Sequence, residues 1–482
     1  MLFQSASFGI FLVLVLGAYW WIANRRRLRY WLLLVASYWF YGSYEFWYLG
    51  LIVFSTFLDY WCGARMHASE DPKARRSYLL ISLAGNLGLL CFFKYTDWAL
   101  DSLSALLASL GIETSLHETK AALLPQALFV GDTTSILVPV GISFYTFQTL
   151  SYTIDIYRRR LEPARNLQEF ALFVAYFPQL VAGPIVRAID FLPQLEHRPR
   201  LSRADLHEGL YRLGMGLAKK VVLADVLGRY LVDPVYTDPS QYTPVAHLLC
   251  LYAFTFQIYF DFAGYSDCAI GAARLFGFRL PENFDAPYRS LSIREFWRRW
   301  HITLSSWVRD YIFIPLGGSR GSEVVVVRNL VITMVTIGLW HGASILWVYY
   351  GLLQAVVMIL ERWLERARGG RPFATTPARR FLAWVLTFHF IVLSCLFIRA
   401  RSMENLTDML SDFGALGNLS TWGLLALAAS FLTHFQPRAL YAAFERRVKE
   451  LPTPVAGALI GVVAGCVAIL VVGDTPFIYF QF

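Results

Sequence analysis

Long apolar runs separated by short polar loops fill most of this sequence, and they predict a chain of membrane-embedded helices. A helix needs about 20 residues to cross the hydrocarbon core of a bilayer, and the longest run exceeds one simple crossing. We therefore expect about eleven to thirteen membrane segments, some tilted or only partly inserted. The predicted runs are 6–22, 30–43, 46–62, 78–94, 136–157, 168–186, 208–232, 245–277, 325–360, 381–398, 419–436 and 454–473.

One stretch, FWRRWHITLSSWVRDYIFIPLGG at residues 296–318, is amphipathic rather than uniformly apolar. Arginines and serines cover one side of a helix drawn through it, and His301 falls on the boundary between the two sides. Such a segment does not cross lipid alone, so it predicts an interfacial or re-entrant helix that ends at Pro315 and the Gly317–Gly318 turn. The apolar side of the predicted helix consists of Phe296, Trp300, Leu304, Trp307 and Tyr311.

Polar groups and helix breakers interrupt several of the apolar runs. Examples are the segments LVPVGISFYTFQTLSYTIDIY, VAYFPQLVAGPIVR and QIYFDFAGYSD, the last of which carries Asp261, Ser266 and Asp267. Irregular backbone at membrane depth is stable only where it is buried in protein or lines a cavity. Each interruption alone is explained equally well by polar contacts between helices, but together they favour a tunnel or chamber.

Composition agrees with a polytopic membrane protein. Of the 482 residues, 56% are hydrophobic and only 16% are charged. The formal net charge of +9 comes from short basic clusters between the apolar runs, a distribution that follows the positive-inside rule and disfavours nucleic acid as a partner. The N-terminal apolar run has no basic n-region before it and no small-residue cleavage site behind it, so we expect a retained first span. The alternation of the basic clusters predicts both termini on the non-cytoplasmic side. The six cysteines are scattered singly, so neither a disulfide framework nor a zinc site is predicted.

Two histidines are the strongest candidates for chemistry. His341 lies in the sequence GLWHG far along an apolar run, and His301 lies in the amphipathic stretch. An ionisable residue inside a membrane protein is a functional-site hypothesis by default, although a hydrogen-bonded core histidine is the commoner case. An imidazole can accept and return a proton near neutral pH. A metal site is not expected, because two histidines without nearby carboxylates make an incomplete ligand set.

The same motifs resemble the membrane-bound O-acyltransferase family, in the branch that O-acetylates bacterial alginate. The similarity rests on WHITLSSW and GLWHGA, and it extends to FVAYFPQLVAGPIVR, YFDFAGYSDCAIG and GFRLPENFDAPY. It covers most of the chain and is densest at residues 136–350. The resemblance implies one domain over 1–482, with an all-α polytopic fold, re-entrant pieces and a central tunnel.

The resemblance also implies an activity. The enzyme would move an acetyl group from acetyl-CoA, with no permanently bound cofactor, through the bacterial inner membrane to hydroxyls of a cell-envelope or exported polysaccharide. An alginate-like polymer is expected first and peptidoglycan next. An extracytoplasmic acetyltransferase is expected as a partner protein that completes the transfer. By resemblance His341 is the essential histidine and general base, and His301 supports the chemistry.

The remaining candidates surround these histidines. Trp300 or Trp340 could donate an indole N–H to the tetrahedral oxyanion, and Asp310 is expected to form a structural ion pair with Arg309. A transporter or channel is the alternative function, because broken helices and buried polar groups also suit transport. The histidine motifs and the lack of a visible inverted repeat favour the enzyme. Candidates for the phosphates of coenzyme A are Arg298, Arg299, Lys219 and Lys220, although a basic interfacial anchor explains these residues equally well.

Overall fold

The chain is helical, as the apolar runs predict. The computed structural model describes residues 2–131, 133–196, 200–400, 402–411, 414, 418–470 and 477. Within them the only extended pairing is an isolated bridge between Phe129 and Ile136. Large apolar side chains such as Val13, Trp39 and Leu432 remain exposed on the outer faces of the helices, which suits contact with lipid.

The described part of the chain up to residue 217 contributes ten α-helices and the bridge. They are α1 (Ala6–Trp21), α2 (Arg26–Gly42), α3 (Tyr48–Ala68), α4 (Pro72–Ser109), α5 (Leu116–Leu123), α6 (Ile142–Tyr157), α7 (Leu167–Ala175), α8 (Phe177–Leu180), α9 (Ala188–Glu196) and α10 (Arg203–Leu217). Two wider π-helical segments, Ala218–Asp225 and Gly228–Val232, continue α10.

The described part of the chain from residue 233 onward contributes the remaining α-helices. They are α11 (Asp233–Thr237), α12 (Pro244–Leu275), α13 (Ile293–Arg299), α14 (Ile302–Val308), α15 (Glu323–His341), α16 (Ile345–Ala367), α17 (Pro377–Arg399), α18 (Met403–Ser411), α19 (Thr421–Phe435), α20 (Arg438–Glu450) and α21 (Thr453–Leu470). A π-helical turn, Arg309–Phe313, follows α14.

Several helices are suited to spanning a bilayer. Five of the described helices, α4, α12, α15, α16 and α17, are long and apolar enough to cross a membrane, and α1 and α19 are shorter apolar helices. The all-α polytopic architecture predicted from the sequence is therefore confirmed. The predicted run 325–360 is two helices, because α15 ends at His341 and Gly342 adopts an extended conformation before α16 begins.

The prediction of one continuous amphipathic helix across 296–315 is wrong. The structure has α13, a break at Trp300 and His301, α14, and then the π-helical turn. His301 takes the left-handed conformation, with φ 42° and ψ 55°, and it is fully buried rather than placed on a boundary. The predicted apolar side is nevertheless correct, because Phe296, Trp300, Leu304, Trp307 and Tyr311 are all buried.

The basic loops meet at one end of the helix bundle, which we call the basic face. Arg26 pairs with Glu169 at 2.9 Å, and Arg159 pairs with Glu70 at 2.5 Å. Arg75 donates to the carbonyls of Ile156 and Tyr157 at 3.1 and 2.9 Å. These contacts join the segments after α1, α3 and α6, so the three basic clusters lie at the same end of the bundle.

Candidate active site

Asn283, in the loop between α12 and α13, fixes the backbone around His301. Its carbonyl accepts the N–H of Ile302 at 2.9 Å, and its Oδ1 lies 3.1 Å from His301 Nδ1. The Oδ1 also accepts the hydroxyl of Thr303 at 2.9 Å, while Nδ2 donates to Ser266 at 3.1 Å. A left-handed conformation is uncommon for a non-glycine residue and persists only where surrounding contacts enforce it. Asn283 provides those contacts.

The same asparagine selects the tautomer of His301. The backbone N–H of Thr303 can only donate, and it lies 3.4 Å from Asn283 Oδ1, so this atom is an acceptor. The Nδ1 of His301 therefore carries the proton, and in the neutral ring Nε2 holds the lone pair. Nε2 is buried and has no hydrogen-bond partner within the described part of the chain. His301 thus presents an unprotonated ring nitrogen inside the protein.

His341 is the last residue of α15 and lies between two tryptophans. Its ring stacks on that of Trp347, with 5.1 Å between the ring centres, and meets that of Trp340 edge-on, with 5.0 Å between the ring centres. The ring of Trp340 also packs edge-on against that of His301, with 5.7 Å between the ring centres. This indole therefore lies between the two histidines. The structure therefore brings together the two residues that the sequence singled out. The indole N–H of Trp340 donates to the carbonyl of Ser143 at 3.3 Å.

A contact at the end of α15 was not foreseen from the sequence. The ammonium of Lys94, on α4, contacts the carbonyls of Trp340 and His341, the latter at 3.0 Å. Asn283 was also missed, although it stands inside the quoted motif GFRLPENFDAPY. A lysine at the end of an apolar run was the one visible signal for Lys94. Nothing in the spacing of Asn283 distinguishes it from an ordinary loop residue.

Two cavities are lined by residues that neighbour the two histidines. The Asn283 cavity, of about 730 Å³, is lined by Asn283 and Ser266 at one part and by Arg438 and Glu445 of α20 at another. The arginine cavity, of about 540 Å³, lies between the α13–α14 pair and the α15–α16 pair. Its walls include Ile302, next to His301, and Ile337, one turn before His341. Within the described residues the charged groups that line it are four arginines: Arg294, Arg298, Arg309 and Arg362.

The four residues predicted to bind the phosphates of coenzyme A lie in different parts of the structure. Arg298 is exposed and lines the arginine cavity, whereas Arg299 lines neither cavity and pairs with Glu295 at 2.7 Å. Lys219 pairs with Asp267 at 2.5 Å in the wall of the Asn283 cavity. Lys220 pairs with Asp261 at 2.6 Å, and Asp267 also pairs with Arg212 at 2.6 Å. These lysines are therefore neutralised by carboxylates.

Asp310 forms the ion pair expected of it. Its carboxylate accepts Arg309 at 2.6 Å and also pairs with Arg187 at 2.8 Å. Burial raises the pKa of this carboxyl, but the hydrogen bonds from the two guanidinium groups outweigh burial and hold the pKa below its usual value. Arg158 donates to the carbonyl of the same residue at 3.2 Å, so the end of α14 is fixed to the basic face.

Comparison with known proteins gives a consistent set of relatives. Residues 161–399 match the model of the membrane-bound O-acyltransferase family. The protein named probable alginate O-acetylase in Pseudomonas aeruginosa is 40% identical over 92% of this chain and 80% of its own length. The peptidoglycan O-acetyltransferase of Helicobacter pylori is 34% identical over 84% of this chain and 77% of its own. The teichoic acid D-alanyltransferase of Bacillus subtilis is 28% identical over 52% of this chain and 66% of its own.

Proposed function

Because the chain belongs to the membrane-bound O-acyltransferase family, we propose that it moves an acetyl group from cytoplasmic acetyl-CoA to hydroxyls of a polysaccharide outside the membrane. The observation that carries the proposal is the buried pair of histidines around Trp340, approached by two cavities. Catalysis of acyl transfer needs a proton acceptor held close to both substrates and protected from water. The burial of both imidazoles supports the second condition, and the cavities lined by neighbouring residues support the first.

His341 is the general base of the proposed reaction. It takes the proton of the acceptor hydroxyl as the oxygen attacks the thioester carbonyl carbon, which forms a C–O bond and a tetrahedral oxyanion. When the intermediate collapses, the C–S bond breaks and the departing thiolate receives the same proton. His301 supports this step, since its Nε2 lone pair can accept a hydrogen bond and so orient a substrate. General-base assistance of this kind contributes about 10²–10⁴-fold in rate.

The arginine cavity is the proposed site of the donor. Coenzyme A carries several negative phosphate charges, and guanidinium groups bind phosphates through bidentate, charge-assisted hydrogen bonds. Three of the four arginines pair with carboxylates: Arg294 with Glu365, Arg309 with Asp310 and Arg362 with Glu323. Arg298, which is exposed on the rim, suits such a ligand, and the apolar lining reaches Ile302 and Ile337, which neighbour His301 and His341 in the helices. The basic face is cytoplasmic under the positive-inside rule, which is the side where acetyl-CoA is made available.

The acceptor is proposed from the relatives. Two of them are named for O-acetylation of alginate and of peptidoglycan, and both match most of this chain. We therefore place an alginate-like exported polysaccharide first and peptidoglycan second. Since the donor and the polymer lie on opposite sides of the membrane, an extracytoplasmic acetyltransferase that receives the acetyl group and completes the transfer is the proposed partner.

The test is acetyl transfer from radiolabelled acetyl-CoA in membrane vesicles that contain the protein together with the partner acetyltransferase, with alginate and peptidoglycan fragments as acceptors. His341→Gln keeps hydrogen bonding but loses basicity, so its rate should fall by about 10²–10⁴-fold at equal expression. His389→Gln is the matched control, because His389 is an exposed histidine on the membrane helix α17. Near-normal transfer by His341→Gln would overturn its role as base. Solute flux through wild-type protein without any acyl turnover would favour a transporter.

A further inference from the structure

Two adjacent residues of α4 bind the end of the helix that carries His341. Tyr95 donates its hydroxyl to the carbonyl of Leu339 at 2.7 Å. Lys94 contacts the next two carbonyls, those of Trp340 and His341, and its ammonium also lies 5.9 Å from the centre of the Trp340 ring. Three successive carbonyls at the end of α15 thus have partners on α4.

These carbonyls need partners for a physical reason. The last carbonyls of a helix have no N–H group in the next turn, because the chain leaves the helix. Here the chain leaves at Gly342, which is extended with φ −153° and ψ 148°. Unsatisfied carbonyls are costly in a membrane, where water is not available. A cation is the favourable partner, since the C-terminal end of a helix carries partial negative charge.

We propose that Lys94, assisted by Tyr95, is the positioning residue for His341. By holding the carbonyls on both sides of the His341 Cα atom, the ammonium fixes the direction in which the imidazole leaves the helix. The ring then stays between Trp340 and Trp347. This inference rests on the proposed function only in treating His341 as the base, since the carbonyl contacts themselves do not depend on any reaction.

The first experiment compares Lys94→Met, Lys94→Arg and Tyr95→Phe in the acetyl-transfer assay. Small misplacements of a catalytic group cost up to about 10²-fold in rate. Lys94→Met should therefore lower kcat by about tenfold to 10²-fold while KM for acetyl-CoA stays within about twofold. Lys94→Arg, which keeps the cation, should recover most of kcat, and Tyr95→Phe should lose less than Lys94→Met. The matched control is Lys73→Met, an exposed lysine at the start of the same helix.

A double variant shows whether Lys94 affects the rate of acetyl transfer through His341 or independently of it. If Lys94 acts through His341, adding Lys94→Met to His341→Gln should lower the residual rate little further. A full additional loss in the double variant, or normal kcat in Lys94→Met, would overturn the proposal. Should Lys94→Met fail to accumulate in the membrane, Lys94→Gln, which still donates to a carbonyl, replaces it in both comparisons.

A readout without activity keeps this inference distinct from the proposed function. Diethyl pyrocarbonate modifies accessible imidazoles, and peptide mass spectrometry reports the rate at each histidine. Loss of the Lys94 contact should increase the modification rate of His341 several-fold while that of His389 on α17 is unchanged. An unchanged rate at His341 would contradict positioning, even if the wild-type protein proved to transfer no acetyl group.

Discussion

The tautomer and the orientation of His301 depend on one residue, Asn283. Its Oδ1 accepts the Nδ1–H of the ring, and its own backbone carbonyl holds the N–H of Ile302. The side chain is buried, with 1% of its surface exposed, so water does not replace these hydrogen bonds. The orientation and tautomer of His301 are therefore consequences of Asn283 rather than of the histidine's own sequence neighbours.

Replacing Asn283 tests this dependence. Asn283→Ala removes the oxygen that accepts from His301 and from the Thr303 hydroxyl. We therefore expect transfer to fall by about tenfold to 10²-fold and stability to fall by about 1–3 kcal/mol. Asn283→Asp keeps the acceptor oxygens and should retain more activity than Asn283→Ala. Acetyl transfer and thermal unfolding of the two variants check the expectation. Equal losses in both would mean that the acceptor does not orient His301.

The sequence identifies the two histidines but not the residues that position them. A histidine within an apolar run is conspicuous, because few polar groups occur there. Asn283 lies eighteen residues from His301 in a polar loop, and Lys94 lies far from His341 along the chain. Their importance comes from contacts that only the folded helices create, and neither hydrophobic period nor residue type records such contacts.

At the scale of helices, periodicity predicts which face is buried better than it predicts where a helix breaks. The apolar side of 296–315 is buried as expected, yet His301 interrupts the helix. One residue in the left-handed region does not disturb a pattern of apolar positions, since α13 and α14 keep facing the same core. The break was therefore outside what the hydrophobic pattern could show.

The α15–α16 turn gives a prediction at the same scale. A methyl group on Gly342 would overlap the indole of Trp347, on which His341 stacks. Gly342→Ala should displace Trp347, lower stability by about 1–3 kcal/mol and reduce acetyl transfer. Gly88→Ala is the control, because a methyl group there meets nothing within 4 Å on the membrane helix α4. Unchanged melting and activity for Gly342→Ala would show that the turn adapts to the larger side chain.

The arginine cavity between two helix pairs gives a second prediction. Arg298 is exposed on its rim, and a charge-assisted hydrogen bond to phosphate contributes about 1.5–3 kcal/mol. Arg298→Ala should therefore raise KM for acetyl-CoA by about tenfold to 10²-fold with little change in kcat. Arg320→Ala, at another exposed arginine that does not line this cavity, serves as the control. If both variants behave like wild type, the donor does not bind at this rim.

For the whole molecule, the position of the basic clusters was predictable from the sequence. It depends on which loops connect the membrane helices and not on how the side chains pack. Each basic cluster of the first half follows an apolar run, and the helices bring these clusters to one face. Apolar length and loop charge are local properties of the sequence. The cavities were predictable only as a class, since broken helices indicate a chamber without showing which helices enclose it.

The position of the chain ends is the last prediction and concerns the whole fold. Phe3, near the start, and Phe477, near the end, both pack against Tyr265, with ring centres 4.4 and 5.1 Å apart. Because Phe477 packs against the residue that Phe3 contacts, Phe477 lies close to the start of α1. Because Arg25–Arg29 follow α1 and belong to the basic face, the beginning of α1 faces away from it.

With the basic face in the cytoplasm, both ends should therefore be extracytoplasmic. Alkaline phosphatase, which is active only outside the cytoplasm, should be active when fused after Phe482 and inactive when fused within the loop between α16 and α17. The second fusion controls for export, since that loop carries arginines and is expected in the cytoplasm. An inactive fusion at Phe482 that accumulates normally would reverse the assignment of the C-terminal side, and the donor would then have to reach the histidines from the opposite face.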